Sequence, residues 1–204
     1  GTVGKPYDGV ESRIDPQSGE VQMKSPGVML GYFKEPELTR QAFTEDGWLR
    51  TGDKGALDPK GNLRITGRVK DLFKTSKGKY VAPAPIEDRL GANPMIEACV
   101  VTGANLGAPL GLVMLNPAAA QRAADAANRP EMEATLAAHL KAVNATLDPH
   151  EQLSGLIVVT TPWTIDNGFI TPTFKVKRNR IEEVYGAFFE RWSEGRSKVV
   201  WHAG

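Results

Sequence analysis

Short apolar runs alternate with turn-forming residues in the first third of the chain. The turns at 15–19 and 58–62 each contain Asp, Pro and Gly, and each separates two runs of strand length. Such a turn between two short runs is typical of a β-hairpin. A short helix is predicted between the hairpins at 36–43, because Pro is tolerated in the first helical turn. The predicted strands are 10–14, 20–24, 54–57 and 63–66. Residues 1–69 are therefore predicted to form a small, mostly antiparallel β subdomain.

Apolar positions after residue 69 follow helical spacing or form longer uninterrupted runs. Leucine or valine at 136, 140, 143 and 147 recurs every three or four residues, which predicts the buried face of a helix over 131–147. Mostly apolar runs of strand length indicate a sheet that is covered on at least one face. The predicted strands are 96–102, 110–115 and 156–160, and the other predicted helices are 83–90, 117–128 and 178–192. Residues 70–204 are therefore predicted to form a mixed α/β domain, which makes the fold class α+β.

Charge and composition exclude several classes of protein. The 204 residues carry a net charge of +1, with 41% hydrophobic and 24% charged residues. This balance argues against a basic protein that coats nucleic acid and against a wholly disordered chain. No apolar run approaches the ~20 residues of a transmembrane helix, and no secretory signal is expected at the start, so a cytoplasmic location is predicted. Because residues 1–6 lack an initiator Met, we expect the sequence to be part of a longer protein.

Cysteine and histidine give no sign of a metal centre. Cys99 is the single cysteine, so it has no disulfide partner in the chain, and its apolar neighbours predict a buried, unreactive thiol. His139, His150 and His202 are far apart and lack the spacing of metal ligands. No metal site is therefore predicted.

Two positions in the β subdomain are candidates for nucleotide binding. Asp53 ends the segment Thr51-Gly52-Asp53, where its two carboxylate oxygens are suited to accept hydrogen bonds from vicinal ribose hydroxyls. Taken alone, an Asp that caps its own turn is the favoured alternative. Arg68 offers a planar fork of donors to ribose or phosphate, and an ordinary surface ion pair is its alternative.

Two basic segments in the second part are candidates for binding phosphate. The loop 74–79 is rich in Lys and suits a phosphate or a slender polar chain that passes close to the backbone at Gly78, although it lacks the Walker A pattern. Lys175 lies just before the last predicted helix, where its long side chain can reach a phosphate or a developing negative charge. A solvated turn at 74–79 and a solvated helix start or nucleic-acid patch at 175–180 are the alternatives.

In this order along the chain, the motifs resemble the AMP-forming acyl-CoA synthetases of the adenylate-forming superfamily. The segments that carry the resemblance are 19–27, 31–32, 36–39, 51–53, 67–71 and 171–178. The loop 74–83 and the ending 171–178 look most like the long-chain fatty acid–CoA ligase branch. The resemblance covers almost the whole chain, and it implies the C-terminal portion of such an enzyme. Residues 1–69 would then be a remnant of the large N-terminal domain, and 70–204 the mobile C-terminal lid domain.

The resemblance also implies a two-step reaction, in which ATP and a carboxylate give an acyl-adenylate and CoA then displaces AMP. Asp53 matches the ribose-binding Asp, and Arg68 matches the Arg that holds the nucleotide. Lys70 matches the hinge about which the lid rotates. Lys175 matches the catalytic Lys of adenylation. The family commonly has Gly-Lys where this chain has Phe174-Lys175, so Lys177 competes for the catalytic role.

The thioester step is assigned by the same resemblance to the loop with Lys74, Gly78 and Lys79, in which Gly78 would line the tunnel for the pantetheine arm of CoA. The implied cofactors are ATP or AMP, CoA and Mg²⁺, the last held mainly by ATP and by residues absent from this chain. The implied partners are a fatty acid and CoA, with no nucleic acid; a homodimer and peripheral contact with a membrane are left open. The alternatives are an acyl-AMP ligase that loads a carrier protein and a non-catalytic nucleotide-binding or nucleic-acid-binding module. The chain alone is expected to be inactive, because the phosphate loop and acyl pocket are missing.

Overall fold

The protein is described by a computed structural model in which residues 2–203 are placed. The chain divides into an N-terminal unit, Gly1–Leu72, and a C-terminal unit, Phe73–Gly204. The N-terminal unit holds an antiparallel sheet and one short helix, and the C-terminal unit holds a mixed sheet and five α-helices among its described residues. The predicted α+β fold class is confirmed.

The N-terminal unit contains both predicted hairpins in one antiparallel sheet. Its elements are β1 (Glu11–Ile14), β2 (Glu20–Lys24), α1 (Pro36–Ala42), β3 (Leu49–Leu57) and β4 (Leu63–Arg68), and the strands lie in the order β1-β2-β3-β4. The second turn is stabilised by Asp58, whose Oδ1 accepts the backbone N–H groups of Lys60 and Asn62, each at 2.8 Å. β3 begins five residues before the predicted strand, because 49–53 also pairs with β2. β3 pairs with β4 from Asp53–Arg68 to Leu57–Leu63, and the register shifts between Lys54 and Gly55.

Large apolar side chains in the N-terminal unit lie mostly at the surface. Tyr7, Leu30 and Phe33 are among those that are almost fully exposed, and of the described apolar residues in this unit Val21 alone is buried. Apolar burial is the main force that stabilises most folds, and this unit has little of it. Its strand ladder and turns therefore contribute the larger part of its stability.

The C-terminal unit is built on a four-stranded mixed sheet. Its elements are β5 (Phe73–Lys74), β6 (Tyr80–Val81), α2 (Pro83–Leu90), β7 (Ile96–Thr102), β8 (Leu110–Leu115), α3 (Pro117–Ala124), α4 (Arg129–Asn144), β9 (Leu156–Val159), α5 (Arg178–Tyr185), α6 (Phe189–Glu194) and β10 (Val199–His202). The main sheet has the order β10-β9-β8-β7, in which β7 pairs with β8 in antiparallel fashion and the other pairs are parallel. β5 and β6 form a separate small ladder.

Both faces of this sheet are buried, one more than the sequence required. Val101, Val113 and Val158 belong to an apolar cluster with α2, α3 and α4. The alternate positions, such as Leu112 and Ile157, belong to a second cluster with α5 and α6. The four predicted stripe positions of α4 and the segment after it, namely Leu136, Leu140, Val143 and Leu147, are all buried.

Two predicted helices are shorter than the sequence indicated. The helix predicted over 117–128 ends at Ala124, because Asp125 adopts an extended conformation and its Oδ1 accepts the N–H of Ala127 at 2.9 Å to start a 3₁₀ turn. The helix predicted over 178–192 is divided into α5 and α6 by a 3₁₀ turn at Gly186–Phe188, where glycine, a weak helix former, begins the turn. The ladder of β5 and β6 and the strand β10 were not predicted.

Candidate functional site

Asp53 and Arg68, the two candidate residues for nucleotide binding, lie next to each other on neighbouring strands. They are aligned partners on β3 and β4, and the Nε of Arg68 lies 3.2 Å from Oδ1 of Asp53. The Asp53 side chain keeps 31% of its surface exposed and Arg68 keeps 59%, so both still have groups free to face a ligand. Gly52 has a φ of 73° and lies under the guanidinium: a Cβ there would lie 3.4 Å from an Nη of Arg68. The left-handed backbone at Gly52 therefore favours glycine at this corner.

A buried carboxylate supports this corner from β2. Oε1 of Glu20 accepts the backbone N–H of Gly52 at 3.0 Å, and Oε2 lies 3.3 Å from Nη1 of Arg50. Only 6% of Glu20 is exposed, so its charge is stabilised by these donors rather than by water. Glu20 lies in the motif segment 19–27, but nothing in the sequence pattern indicated its contact with Gly52, which is 32 residues away.

Lys70, the candidate hinge residue, lies in a turn tied to the same corner. The turn follows β4 directly, and the N–H of Val69 donates to the carbonyl of Gly52 at 2.8 Å. The Lys70 side chain is exposed and lines a cavity of about 380 Å³ together with Tyr32, Gln41 and Arg68. A cavity of this size is within the range of small-molecule sites.

The basic loop 74–79 is a tight turn with its charged groups outside. The N–H of Thr75 donates to the carbonyl of Lys79 at 2.9 Å, and the N–H of Gly78 donates to the carbonyl of Thr75 at 2.9 Å. Thr75 is buried, whereas Lys74, Gly78 and Lys79 are exposed. Gly78 has a φ of 77°, so its backbone is open on the side where another residue would carry a Cβ.

This loop is attached to the segment that follows β7. The N–H of Ser76 donates to the carbonyl of Leu106, and the N–H of Asn105 donates to the carbonyl of Lys74, both at 2.9 Å. The segment 103–109 therefore supports the basic loop.

Lys175 lies in a second small loop, 171–175, just before α5. The N–H of Thr171 donates to the carbonyl of Lys175 at 2.8 Å, and Oγ1 of Thr171 accepts the N–H of Lys175 at 3.0 Å. Phe174 precedes Lys175 with a φ of 59° and is 81% exposed. Lys177 is also exposed and caps α5, where its N–H donates to the carbonyl of Phe169 at 2.8 Å. Both lysine side chains are therefore accessible.

An ion pair fixes the start of α5 directly after this loop. Nη2 of Arg178 lies 2.5 and 2.6 Å from the two carboxylate oxygens of Glu87 on α2. Oε1 of Glu87 also accepts the N–H of Val101 at 2.7 Å, and Nη1 of Arg178 donates to the carbonyl of Val101 at 3.0 Å. Nothing in the sequence spacing indicated this network, because its members are far apart in the chain.

Cys99 lies beside this network as a half-buried thiol, less enclosed than predicted. Its Sγ donates to the carbonyl of Glu87 at 3.4 Å. Burial, and then the negative charge of Glu87, raise the pKa of Cys99 to about 12. The thiol is therefore protonated at neutral pH and is a poor nucleophile.

Each unit brings together its own set of candidate residues. Asp53, Arg68 and Lys70 lie in the N-terminal unit. The loop 74–79 and Lys175 lie in the C-terminal unit. Among residues 2–203 no three His, Cys, Asp or Glu side chains are grouped so as to hold a metal ion. Within the same residues, no helix is both long and apolar enough to cross a membrane.

Comparison with known proteins defines the class to which this arrangement belongs. Residues 70–192 match the family described as the AMP-binding enzyme C-terminal domain, which is more than half of the chain. The chain therefore belongs to the AMP-binding enzymes that carry this domain, and the resemblance inferred from the motifs is confirmed.

Individual relatives narrow the comparison. The chain is 36% identical over 202 residues to the long-chain fatty acid–CoA ligase FadD15 of Mycobacterium tuberculosis, covering 93% of this chain and 33% of that protein. It is 31% identical to the chloroplastic long-chain fatty acid–[acyl-carrier-protein] ligase AEE15 of Arabidopsis thaliana, covering 91% of this chain and 28% of that protein. The chain thus spans about a third of the length of the curated relatives that it matches.

A solved structure shares the fold. The adenylation domain of a carboxylic acid reductase from Segniliparus rugosus, in complex with AMP and a co-purified carboxylic acid, aligns with a TM-score of 0.74 and 26% identity. The alignment covers 90% of this chain and 31% of that one.

Proposed function

We propose that this chain is the C-terminal portion of an AMP-forming fatty acid–CoA ligase, which activates a carboxylate as an acyl-adenylate and transfers the acyl group to CoA. The observation that carries the proposal is the backbone at Phe174, whose φ of 59° is the left-handed conformation that favours glycine. The resembled family commonly has Gly-Lys at this point, so the local geometry supports Lys175 as the counterpart of the catalytic lysine. Lys177, at the cap of α5, has no such neighbour.

The proposed adenylation step uses Lys175 as a charge stabiliser. A carboxylate oxygen attacks the α-phosphorus of ATP, and pyrophosphate leaves with the bonding electrons. Negative charge develops on the phosphoryl oxygens, and a lysine ammonium brought to them at the tip of a loop stabilises that charge. Asp53 accepts hydrogen bonds from the ribose hydroxyls, and Arg68 orients that carboxylate and contacts the nucleotide.

The proposed thioester step uses the other basic loop. The thiolate of CoA attacks the acyl carbon, and AMP leaves. Lys74 and Lys79 provide positive charge for the phosphates of CoA, while Gly78 allows the pantetheine arm to pass close to the backbone. The two steps need different groups at one centre, so we propose that residues 70–204 act as a lid that rotates about Lys70.

Mg²⁺ belongs to the proposal as a companion of ATP. Its ligands would be mainly the ATP phosphates and residues absent from this chain. A cytoplasmic location, contact with a membrane surface and a homodimer stay predictions.

The catalytic assignment is tested with two lysine variants of the full-length ligase. Lys175→Ala should lower the rate of acyl-adenylate formation roughly 100-fold to 1000-fold, since it removes a charge that acts in the transition state. This rate is measured by pyrophosphate exchange. Thioester formation from a preformed acyl-adenylate should continue. Lys177→Ala is the matched control and should change adenylation by less than about 3-fold. The reverse pattern would assign catalysis to Lys177, and equal loss in both steps would point to misfolding.

The thioester assignment is tested with two matched glycines. Gly78 and Gly61 have φ values of 77° and 79°, and at each a Cβ would lie 3.7 Å from the Cε of one lysine. Ala at either position therefore meets the same backbone strain. Gly78→Ala should slow thioester formation at least about 10-fold, because the added methyl group would displace the pantetheine arm from its path beside the backbone. Gly61→Ala should not slow this step. Equal effects would remove Gly78 from the CoA path.

A carrier protein is the alternative acyl acceptor, since the relatives include a ligase named for acyl-carrier protein. The full-length enzyme is supplied with CoA or with a pantetheinylated carrier, and the thioester that forms identifies the acceptor.

The 204-residue chain alone should release no pyrophosphate from ATP and palmitate. Release at the rate of a complete ligase would contradict the fragment assignment.

A further inference from the structure

We propose that Glu87 and Arg178 are positioning residues for Lys175, which act by fixing the start of α5 to the outer strand of the sheet. This inference rests on the proposed function, because it assumes that Lys175 serves the adenylation step. Neither residue was a candidate in the sequence, and neither needs to touch the substrate for this role.

The pair has the geometry of a rigid link rather than of a loose surface contact. Two oxygens of Glu87 lie within 2.6 Å of Nη2 of Arg178, and Nη1 donates to the carbonyl of Val101 at 3.0 Å. The side chains of Arg178 and Glu87 keep only 27% and 17% of their surface exposed. Ion pairs that are shielded from water are less screened and hold their geometry better than exposed ones.

Val101 closes this network into a ring. It lies on β7, the outer strand of the sheet, and its N–H and carbonyl both point away from β8. The N–H donates to Glu87 and the carbonyl accepts from Arg178, so both side chains are held by the same peptide segment. The start of α5 is thereby held to the main sheet of the C-terminal unit.

The short segment between this ring and Lys175 is held by backbone contacts. Arg178 is the first residue of α5, and the two residues before it are fixed by the backbone: Val176 pairs with Ile170, and the N–H of Lys177 donates to Phe169 at 2.8 Å. A shift of the Arg178 backbone is therefore passed to the loop 171–175. Displacing a catalytic group by about 1 Å lowers rates by about 100-fold.

Only arginine can satisfy these acceptors together. Its planar fork reaches the Glu87 carboxylate and the Val101 carbonyl at once, whereas a lysine ammonium at the end of a flexible stem cannot span both with the same geometry. Arg178→Lys keeps the charge and the helix propensity, so it is the informative variant.

The experiment compares Arg178→Lys with Glu183→Gln in the full-length ligase. Glu183 lies on the same helix in an exposed pair with Arg180 and is the matched control. Arg178→Lys should lower the kcat of adenylation roughly 10-fold to 100-fold with the KM for ATP within about 3-fold of its normal value. Thioester formation from preformed acyl-adenylate should fall by less than about 3-fold, and Glu183→Gln should change neither step.

A double-mutant cycle separates positioning from general damage. In a Lys175→Ala background, Arg178→Lys should cause no further loss of adenylation, because Arg178 acts through the lysine that has been removed. Additive losses, or equal losses in both half-reactions, would overturn the inference. If Lys175→Ala itself leaves adenylation unchanged, the proposed catalytic role of Lys175 falls. If Lys175→Ala abolishes adenylation and Arg178→Lys has no effect, only the positioning role falls.

Discussion

Arg68 lies 3.2 Å from Asp53 through its Nε, across the register of β3 and β4. The guanidinium thus contacts the carboxylate from the neighbouring strand of the same sheet, and part of the Asp53 side chain stays exposed. A carboxylate held in this way is oriented before any ligand arrives, which lowers the entropy that binding must overcome.

Replacing Asp53 by Asn should weaken nucleotide use without unfolding the protein. Hydrogen bonds to a charged group contribute about 1.5–3 kcal/mol, so kcat/KM for ATP in adenylation should fall roughly 10-fold to 100-fold. The free energy of unfolding should change by less than about 1 kcal/mol, since the ion pair is partly exposed. Pyrophosphate exchange measures the first effect and urea denaturation the second. Glu45→Gln, an exposed change in the same unit, is the control, and an unchanged kcat/KM in Asp53→Asn would exclude the ribose contact.

Phe174→Gly should make the chain more stable. A left-handed residue other than glycine is strained by about 1–2 kcal/mol, and the exposed ring at this position gains little from packing. The midpoint of urea unfolding should therefore rise. Phe33→Gly is the matched control, because Phe33 is also exposed but is not among the residues with positive φ; there glycine should lower stability by about 0.5–1 kcal/mol. A lower midpoint for Phe174→Gly than for the parent chain would argue that the ring itself packs against the protein.

Cys99 should resist alkylation while the protein is folded. Its pKa of about 12, against an ordinary value of 9.0, reduces the thiolate fraction at pH 8 about 1000-fold. Iodoacetamide labelling followed by mass spectrometry should thus be slow for the native chain and fast in urea. Fast labelling of the native chain at pH 8 would show that the segment around Cys99 opens readily.

Acidification should destabilise the C-terminal unit through His202. The ring packs among Tyr185, Phe188 and Trp192, and burial, with a smaller contribution from Arg191, lowers the pKa of His202 from 6.5. The unfolded chain then binds a proton that the folded chain does not, so stability is complete above pH 6.5 and falls as the pH drops toward the folded pKa. Urea midpoints at pH 7.5 and 5.5 measure the difference, which His202→Gln should reduce. An equal pH dependence in that variant would assign the effect to other groups.

Local patterns predicted the parts of the fold that local chemistry determines. The Asp58 turn forms because one carboxylate satisfies two nearby N–H groups, and the stripe through Leu136 is buried because helical spacing places it on one face. β10 was missed because its ladder partner, β9, lies about 40 residues earlier in the chain.

In the candidate site, too, local features were predicted from the sequence and long-range contacts were not. Lys175 and the loop 74–79 were visible as basic segments, because exposed charges before a helix or around a glycine stand out in a sequence. Their supports were not visible: Glu20 accepts a hydrogen bond from the backbone of Gly52, 32 residues away, and Glu87 pairs with Arg178 across 91 residues. Such contacts depend on which strands and helices become neighbours, and no spacing rule contains that information.

The ring at Val101 has a consequence outside catalysis. An outer strand with outward N–H and carbonyl groups is a template on which a strand of another molecule can add. At Val101 both groups are already taken by side chains of opposite charge. Glu87 and Arg178 thus occupy the outward pairing groups at Val101, and loss of either side chain would leave one of these groups open to an incoming strand.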